Sequence, residues 1–249
     1  MNRETQNLLL LLIGGAVLWT ALDGSYLRYV KPGLFPFLVI SGVGFLLLGL
    51  IAIVRDIRRG EGSADHEHGT GRAQWLLLAP AAALLLIAPP ALGAGAATTG
   101  SPVRVVSHNS ADEPKVRPFP PLPDEPAAPT LTIYELVNRA LLDSNHSLDG
   151  REVTISGFAL GVEDSGQPRP PGIDLDLARV LITCCVADAR YIYVHLSGIA
   201  EPIENDTWLE VRGVVTPGSA HHDPAQTPTL AVTDFRAIPA PDRRYEHSR

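Results

Sequence analysis

The sequence predicts a membrane protein in which an α-helical N-terminal part with three spans precedes a small, mostly β, OB-like barrel domain with one helix. Three observations predict this fold class. Apolar residues make up 45% of the 249-residue chain and are concentrated before residue 98. A Pro-rich segment follows, and short alternating apolar runs fill the rest. Long apolar runs suit helices in lipid, whereas alternating runs suit strands with one buried face.

The predicted transmembrane region, residues 1–97, contains three uncharged apolar runs at residues 8–22, 33–54 and 73–97. A bilayer core takes about 20 helical residues, so the first run is slightly short and the second is the clearest span. The third run contains three prolines, which favour a kinked helix packed against other protein.

Basic residues in short loops predict the orientation. Residues 55–72 hold four arginines and the N-terminus adds Arg3, whereas the loop between the first two spans has Arg28 and Lys31. The positive-inside rule places the N-terminus and the 55–72 loop in the cytoplasm. Three spans then leave the C-terminal domain outside the cytoplasmic membrane.

Two alternatives concern cleavage. The first span resembles a signal peptide, but Leu22-Asp23-Gly24 is a poor cleavage site and another span follows closely. The third span resembles an internal signal that ends in Ala94-Gly95-Ala96, where cleavage would release the domain. Its apolar run is longer than that of a typical signal.

The linker, residues 98–130, is rich in proline. Seven of the nineteen residues from Asp112 to Thr130 are Pro. Such a composition predicts a stiff polyproline-II spacer that holds the domain off the bilayer.

The β domain is predicted over residues 131–249. A capping box formed by Thr132 and Glu135 starts a helix that ends near Asp143. Alternating apolar residues then predict five strands, at residues 152–160, 179–186, 191–197, 208–215 and 229–238.

The charge and motifs of the chain bear on function. The part after Ala97 carries 21 acidic and 13 basic residues, which argues against binding to nucleic acid. The sequence contains no phosphate-binding loop, nucleophile elbow or H-E-x-x-H motif, so we expect no enzymatic activity.

The two cysteines, Cys184 and Cys185, are adjacent and fall in the second predicted strand. Neighbouring strand residues point to opposite faces, so we do not expect the pair to share a metal ion easily. The more uniformly apolar face predicts Cys184 inside the core and Cys185 at the functional surface beside Asp188. Cys184→Ser should then destabilise the domain by about 1–3 kcal/mol.

Metal binding is the alternative to a packing role. Cys184, Cys185 and Asp188 offer zinc ligands, and His66 and His68 offer others in the cytoplasmic loop. Two His-containing loop clusters, residues 65–68 and 221–223, also have side chains that could take a zinc ion. Neither cluster has the spacing of a closed structural site, so solvated polar loops are the alternative interpretation. His108, His146 and His195 are scattered.

The run from Ala178 to Ala189, with I-T-C-C-x-A-D-A at its end, resembles the YcgQ-like family of bacterial membrane proteins. Supporting features are the segments 148–151 and 208–213 and a His-bearing loop before the last span. The resemblance implies N-terminal membrane helices and a larger polytopic permease as the partner in a two-component permease. It also implies a link to zinc homeostasis in some relatives, and it implies no catalytic residue.

The leading hypothesis is therefore a non-enzymatic accessory subunit of a permease or transport complex in the lipid bilayer, with no cofactor. The alternative is an extracytoplasmic metal-binding protein that delivers an ion, with zinc as the candidate, to a membrane partner. A third hypothesis, a thiol-redox protein, requires a reactive thiolate at one of the two cysteines.

Overall fold

The structure of the protein is a computed structural model that describes residues 3–58, 92–93, 116–161, 170–173 and 175–247. The chain divides into two compact units, Met1–Pro90 and Ala91–Arg249. The described part of the first unit is helical, and the second unit is a mixed β-sheet domain. This order of a helical part and a β domain confirms the coarse prediction from the sequence.

The described part of the first unit contains two long helices, α1 (Arg3–Leu22) and α2 (Phe35–Arg58). They pack closely because glycines face each other at their crossing. A Cβ added to Gly14 would lie 3.0 Å from the carbonyl oxygen of Gly42, and one added to Gly42 would lie 3.2 Å from that of Gly14. The two helices therefore form a hairpin with backbone-to-backbone contact.

Within the described residues, one helical stretch, Pro32–Arg58, is long and apolar enough to cross a membrane. The helix Gln6–Leu22 is apolar but shorter. The described residues thus contain one helix that could cross a membrane, whereas the sequence predicted three spans. The third predicted span, apart from Leu92 and Gly93, and the 55–72 loop beyond Arg58 lie outside the described residues.

Six strands form the sheet of the second unit: β1 (Glu152–Gly161), β2 (Leu175–Ile182), β3 (Arg190–Ser197), β4 (Trp208–Val215), β5 (Thr229–Ala237) and β6 (Tyr245–His247). The order is β1-β4-β5-β3-β2-β6, and β1 also pairs with β2. The β3–β5 and β2–β6 pairs are parallel and the others are antiparallel. Each of β1 to β5 therefore has a hydrogen-bonded neighbour on both sides.

Apolar side chains fill both faces of this sheet. The larger cluster combines strand residues such as Leu177 and Val194 with Ile133, Leu136 and Val137 of helix α3 (Ile133–Leu142). A second cluster on the other face contains Phe158, whose ring packs edge-on against Tyr191 and Trp208. The strand β2 is buried along its whole length because it separates the two clusters.

The start of α3 confirms half of the predicted capping box. Thr132 Oγ1 accepts a hydrogen bond from the Glu135 N–H at 3.0 Å. The Glu135 carboxylate instead pairs with Arg139, at 2.9 Å. The remaining N–H groups of the first turn donate to Glu246 of β6, from Ile133 at 2.9 Å and from Tyr134 at 2.8 Å.

The predicted strands agree with the observed ones except at β2 and β6. Predicted strand 208–215 is β4, whereas predicted strand 179–186 begins four residues late and runs past Ile182. The chain leaves the sheet after Ile182 because a turn begins there, as described below. The strand β6 was not predicted, since three residues are too short to show an alternating pattern.

The described part of the Pro-rich segment packs on the domain, contrary to the spacer expected from its composition. Leu122 and Ala128 are buried. The carbonyl oxygen of Pro120 accepts a hydrogen bond of 2.8 Å from Arg139 Nη1, and Thr130 bridges to Thr154 of β1. Residues 116–130 are therefore part of the folded domain, because buried side chains and backbone hydrogen bonds fix them there.

Asp143 joins this segment to the end of α3. Its carboxylate accepts hydrogen bonds from the N–H groups of Phe119, Asn145 and Ser147 and from the Ser147 hydroxyl. Burial raises the pKa of Asp143, but the hydrogen bonds outweigh it and lower the pKa to about 2. The ionised carboxylate thus holds the segment, the helix end and the following turn together.

Asp143→Asn is expected to lower the stability of the unit Ala91–Arg249 by about 2 kcal/mol at pH 7, because hydrogen bonds to a charged group are lost. The pKa of Asp143 in the folded protein lies below the ordinary value of 3.8. Its ionised carboxylate therefore stabilises the fold above pH 4, and this stabilisation is lost as the pH falls towards 2. Urea unfolding of both proteins from pH 7 to pH 2 should therefore show a difference that shrinks below pH 4. A difference that stays constant with pH would contradict this role of Asp143.

Candidate metal centre

A tight loop, residues 183–188, connects β2 to β3, and we call it the cysteine loop. The last register pair between the two strands is Leu181 with Arg190. The 3-10 helix Val186–Asp188 then reverses the chain. The loop thus lies at the end of the two strands, where they stop pairing.

The carboxylate of Asp188 organises the cysteine loop. Its Oδ1 accepts a hydrogen bond of 2.7 Å from the Thr183 N–H. Its Oδ2 accepts from the Cys184 N–H at 2.8 Å and from the Cys185 N–H at 3.3 Å. The N–H groups of three successive residues therefore donate to one side chain. These hydrogen bonds turn the chain out of the sheet, so β2 ends at Ile182, before the cysteines.

This turn brings both thiols to one place. Cys184 is exposed, Cys185 is half-buried, and their Sγ atoms lie 3.7 Å apart. The prediction that strand alternation separates the two cysteines is wrong, because neither lies in β2. The prediction that Cys184 packs in the core is wrong for the same reason, so the destabilisation expected of Cys184→Ser no longer follows.

The charges in the loop are coupled through hydrogen bonds. Burial raises the pKa of Asp188, but bonds from the Cys184 thiol and from three backbone N–H groups lower it to about 2. The hydrogen bond to Asp188, and a weaker one to Cys185, raise the pKa of Cys184 to about 11. At neutral pH the loop therefore holds an ionised carboxylate beside a protonated Cys184 thiol, which argues against Cys184 as the reactive thiolate of the thiol-redox hypothesis.

The alkylation rate of Cys184 should consequently keep rising with pH beyond the range of an ordinary cysteine. Only the thiolate reacts, and a pKa of about 11 means that its fraction grows about tenfold per pH unit up to pH 10. Iodoacetamide labelling of the full-length protein, read by mass spectrometry from pH 7 to 10.5, measures this profile. A plateau near pH 9 would contradict the hydrogen bond to Asp188.

The donor set of the loop suits a thiophilic divalent ion. One ligand atom from each of Cys184, Cys185 and Asp188 lies within 4.8 Å of the others. Zinc bonds sulfur at about 2.3 Å with tetrahedral angles, which separates two sulfur ligands by about 3.8 Å. The observed 3.7 Å between the Sγ atoms is close to that separation.

Residues 132–247 match the family model of the DUF1980 C-terminal domain. This part of the chain is therefore similar to that family, and we refer to it below as the DUF1980 domain. The match begins at the N-cap of α3 and ends at the last residue of β6, so it covers all six strands and the cysteine loop. The function of the family is not established.

No curated protein matches the chain. A solved structure described as a putative aspartyl-tRNA synthetase from Leishmania major Friedlin aligns with 10% identity and a TM-score of 0.26. The alignment covers 51% of this chain and 24% of that chain, and so low a score supports no inference about fold or function.

Among the described residues, no histidine joins the ligand group of the cysteine loop. His66, His68 and His108 lie outside the described residues. His221 and His222 are exposed on the short helix α4 (Ser219–His222) between β4 and β5. Of the five ligands predicted from the sequence, the structure therefore groups three, Cys184, Cys185 and Asp188.

Sequence reasoning missed a buried polar group elsewhere in the DUF1980 domain. Asp176, His195 and Asp223 are all buried, with His195 and Asp176 fully inaccessible. His195 lies in a strand of apolar and aromatic residues, and this position was the one sign in the sequence that its side chain is buried. Its partners come from other strands and loops, so no local pattern could identify them.

Proposed function

We propose that this chain is a membrane-anchored protein whose DUF1980 domain binds a zinc-class divalent ion at Cys184, Cys185 and Asp188. The observation that carries the proposal is the 3.7 Å separation of an exposed and a half-buried thiol beside an ionised carboxylate. Sulfur ligands favour soft or borderline ions over magnesium and calcium. A set of three protein ligands leaves one coordination position for solvent or for a ligand from a partner.

An exposed site of this kind suits exchange rather than permanent storage. Binding requires both thiols to release their protons, so zinc affinity rises with pH. Cys184 is exposed, and a partner can therefore reach the ion directly. The proposed activity is capture of an ion and its transfer to another protein at the membrane.

Protection of the thiols tests this proposal. Zinc added to the full-length protein in mild detergent should block alkylation of Cys184 and Cys185 together, and a chelator should restore it. Magnesium serves as the control, because hard cations do not bind thiolates well. Unchanged labelling of both cysteines in the presence of zinc would refute the proposal.

The side of the membrane is part of the proposal. The arginine count of the 55–72 loop favours a cytoplasmic loop and an extracytoplasmic domain. Alkaline phosphatase fused at Ser110 should be active, whereas the same enzyme fused at Gly62 should be inactive. The reverse pattern would place the metal centre in the cytoplasm.

A permease subunit is the second proposal, in line with the YcgQ-like resemblance. The observation that favours it is the surface of α2, where Phe37 and Ile40 are 65% and 69% exposed. In a bilayer such a surface contacts lipid or a further helix of a polytopic partner. Co-purification from mild detergent tests it, and elution of the chain alone would count against a stable complex.

We also propose that the sheet is a closed, OB-like barrel. Hydrogen-bonded pairs run from β1 to β4, β5, β3 and β2, and β2 returns to β1. Closure leaves few free edges and supports the cysteine loop on rigid strands.

A further inference from the structure

A second polar cluster lies inside the DUF1980 domain and shares no residue with the cysteine loop. Asp176 of β2 and His195 of β3 are register partners in neighbouring strands. Asp223 follows α4 in the connection between β4 and β5. The side chains of all three are at most 1% exposed.

One side of the His195 ring is already fixed. Its Nδ1 lies 2.6 Å from Asp176 Oδ1. A carboxylate accepts hydrogen bonds, so this contact assigns a hydrogen to Nδ1. In a neutral imidazole the lone pair is then on Nε2. A histidine oriented by a carboxylate in this way is the usual arrangement of metal-binding imidazoles.

The other side of the ring faces an oxygen with which it makes no hydrogen bond. His195 Nε2 lies 3.5 Å from Asp223 Oδ2, and both atoms are buried without a hydrogen-bond partner. The second oxygen of Asp223 is occupied, because it accepts from the N–H groups of Ala225 and Thr227. Two buried acceptors that face each other are unfavourable unless a cation lies between them.

The distance between the two atoms favours one of the two candidate cations. A proton on Nε2 would form an N–H···O bond of about 2.7–3.2 Å. A zinc ion bonded to nitrogen and oxygen at about 2.0–2.2 Å separates the two by about 3.4 Å at a tetrahedral angle. The observed 3.5 Å agrees with the second value.

We propose that a divalent ion of the zinc class binds between His195 Nε2 and Asp223 Oδ2 and is oriented by Asp176. Among the described residues no third His, Cys, Asp or Glu joins this pair within 4.8 Å, so the remaining coordination positions of the ion would fall to main-chain or water oxygens. The ion fastens the β4–β5 connection to β3, next to the parallel pair of His195 and Thr229. It is a buried structural ion, in contrast to the exchangeable ion of the cysteine loop.

The test uses the full-length protein carrying both Cys184→Ser and Cys185→Ser, which we call the double-serine variant, so that the cysteine loop cannot contribute. After equilibration with zinc and removal of free ion, elemental analysis should find one zinc per chain. Adding Asp223→Asn or His195→Gln should remove it, and Asp176→Asn should weaken zinc affinity about 10- to 100-fold. An exposed histidine supplies the control, since His222→Gln should leave the zinc content unchanged.

Thermal unfolding of the same proteins gives a readout that does not depend on the zinc count. Chelation should lower the melting temperature of the double-serine variant, and it should have no effect once Asp223→Asn is added. A double-serine variant that holds no zinc overturns the proposal, and nitrogen NMR showing hydrogens on both ring nitrogens of His195 would then identify the cation as a proton. Zinc at the cysteine loop of the wild type would be untouched by that result, so the two proposals fail separately.

Discussion

Replacing Cys184 and Cys185 together by Ser should remove one binding event from a calorimetric zinc titration of the full-length protein. Each single replacement should lower the zinc affinity of that event by at least about 100-fold. Loss of a ligand costs more affinity than the roughly 10- to 100-fold typical of losing a group that only hydrogen-bonds to a ligand. Hydroxyl oxygens are poor substitutes for thiolates toward zinc. His221→Gln, at an exposed histidine outside the loop, is the matched control and should titrate like the wild type.

The same replacements should leave the fold intact. Cys184 is exposed and Cys185 is half-buried, so each Cys→Ser change should alter the stability of the unit Ala91–Arg249 by less than about 0.5 kcal/mol. Loss of zinc binding with an unchanged melt would therefore identify the cysteines as ligands. Full retention of the binding event in the double-serine variant would contradict that role.

Asp188 requires a separate comparison, because it both supports the loop and faces the thiols. Asp188→Ala would leave the N–H groups of Thr183, Cys184 and Cys185 without their acceptor. Reduced zinc affinity in this variant alone would not separate a lost ligand from a collapsed loop. The cysteine variants are therefore the decisive ones.

Gly213→Ala should be the most damaging small substitution in the sheet, lowering stability by about 3 kcal/mol or preventing folding. A Cβ on Gly213 would overlap the carbonyl oxygen of Ala231 on the neighbouring strand. That oxygen is part of the backbone and cannot rotate away, and forced overpacking of a tight site typically costs about 1–3 kcal/mol. The close approach coincides with a register shift between β4 and β5 at Arg212/Gly213.

Gly161→Ala is the matched control at the end of β1. Its nearest contact would be the side-chain oxygen of Asn205, at 3.3 Å, which is the end of a flexible group. Urea unfolding of the unit Ala91–Arg249 should place this variant close to the wild type. If Gly213→Ala unfolds at the same urea concentration as Gly161→Ala, the close backbone contact between Gly213 of β4 and Ala231 of β5 would be contradicted.

The regular parts of the domain were predictable from sequence because their signals are local. The cap at Thr132 predicts the start of α3, and the alternation of apolar and polar residues predicts both ends of β4 correctly. The cysteine loop was misread for a definite reason. The apolar alternation of β2 continues through Cys184 and Val186, while the turn depends on the Asp188 carboxylate, which acts on residues up to five positions earlier.

Long-range polar contacts lay beyond prediction. Glu246 caps a helix that begins more than a hundred positions earlier, at Ile133, and the prolines of residues 116–130 gave no indication that Leu122 is buried. The trio of Asp176, His195 and Asp223 likewise forms only when three separate elements meet. Such contacts follow from the strand order, which no single segment encodes.

Cobalt binding tests the central claim most directly, because a thiolate bound to Co²⁺ gives an intense near-ultraviolet charge-transfer band that nitrogen and oxygen ligands do not. Titration of the full-length protein with Co²⁺ should produce this band, saturating at one thiolate-bound ion per chain. Zinc should displace the ion and remove the band, and the double-serine variant should never develop it. A wild-type titration without the band would contradict metal binding at the cysteine loop.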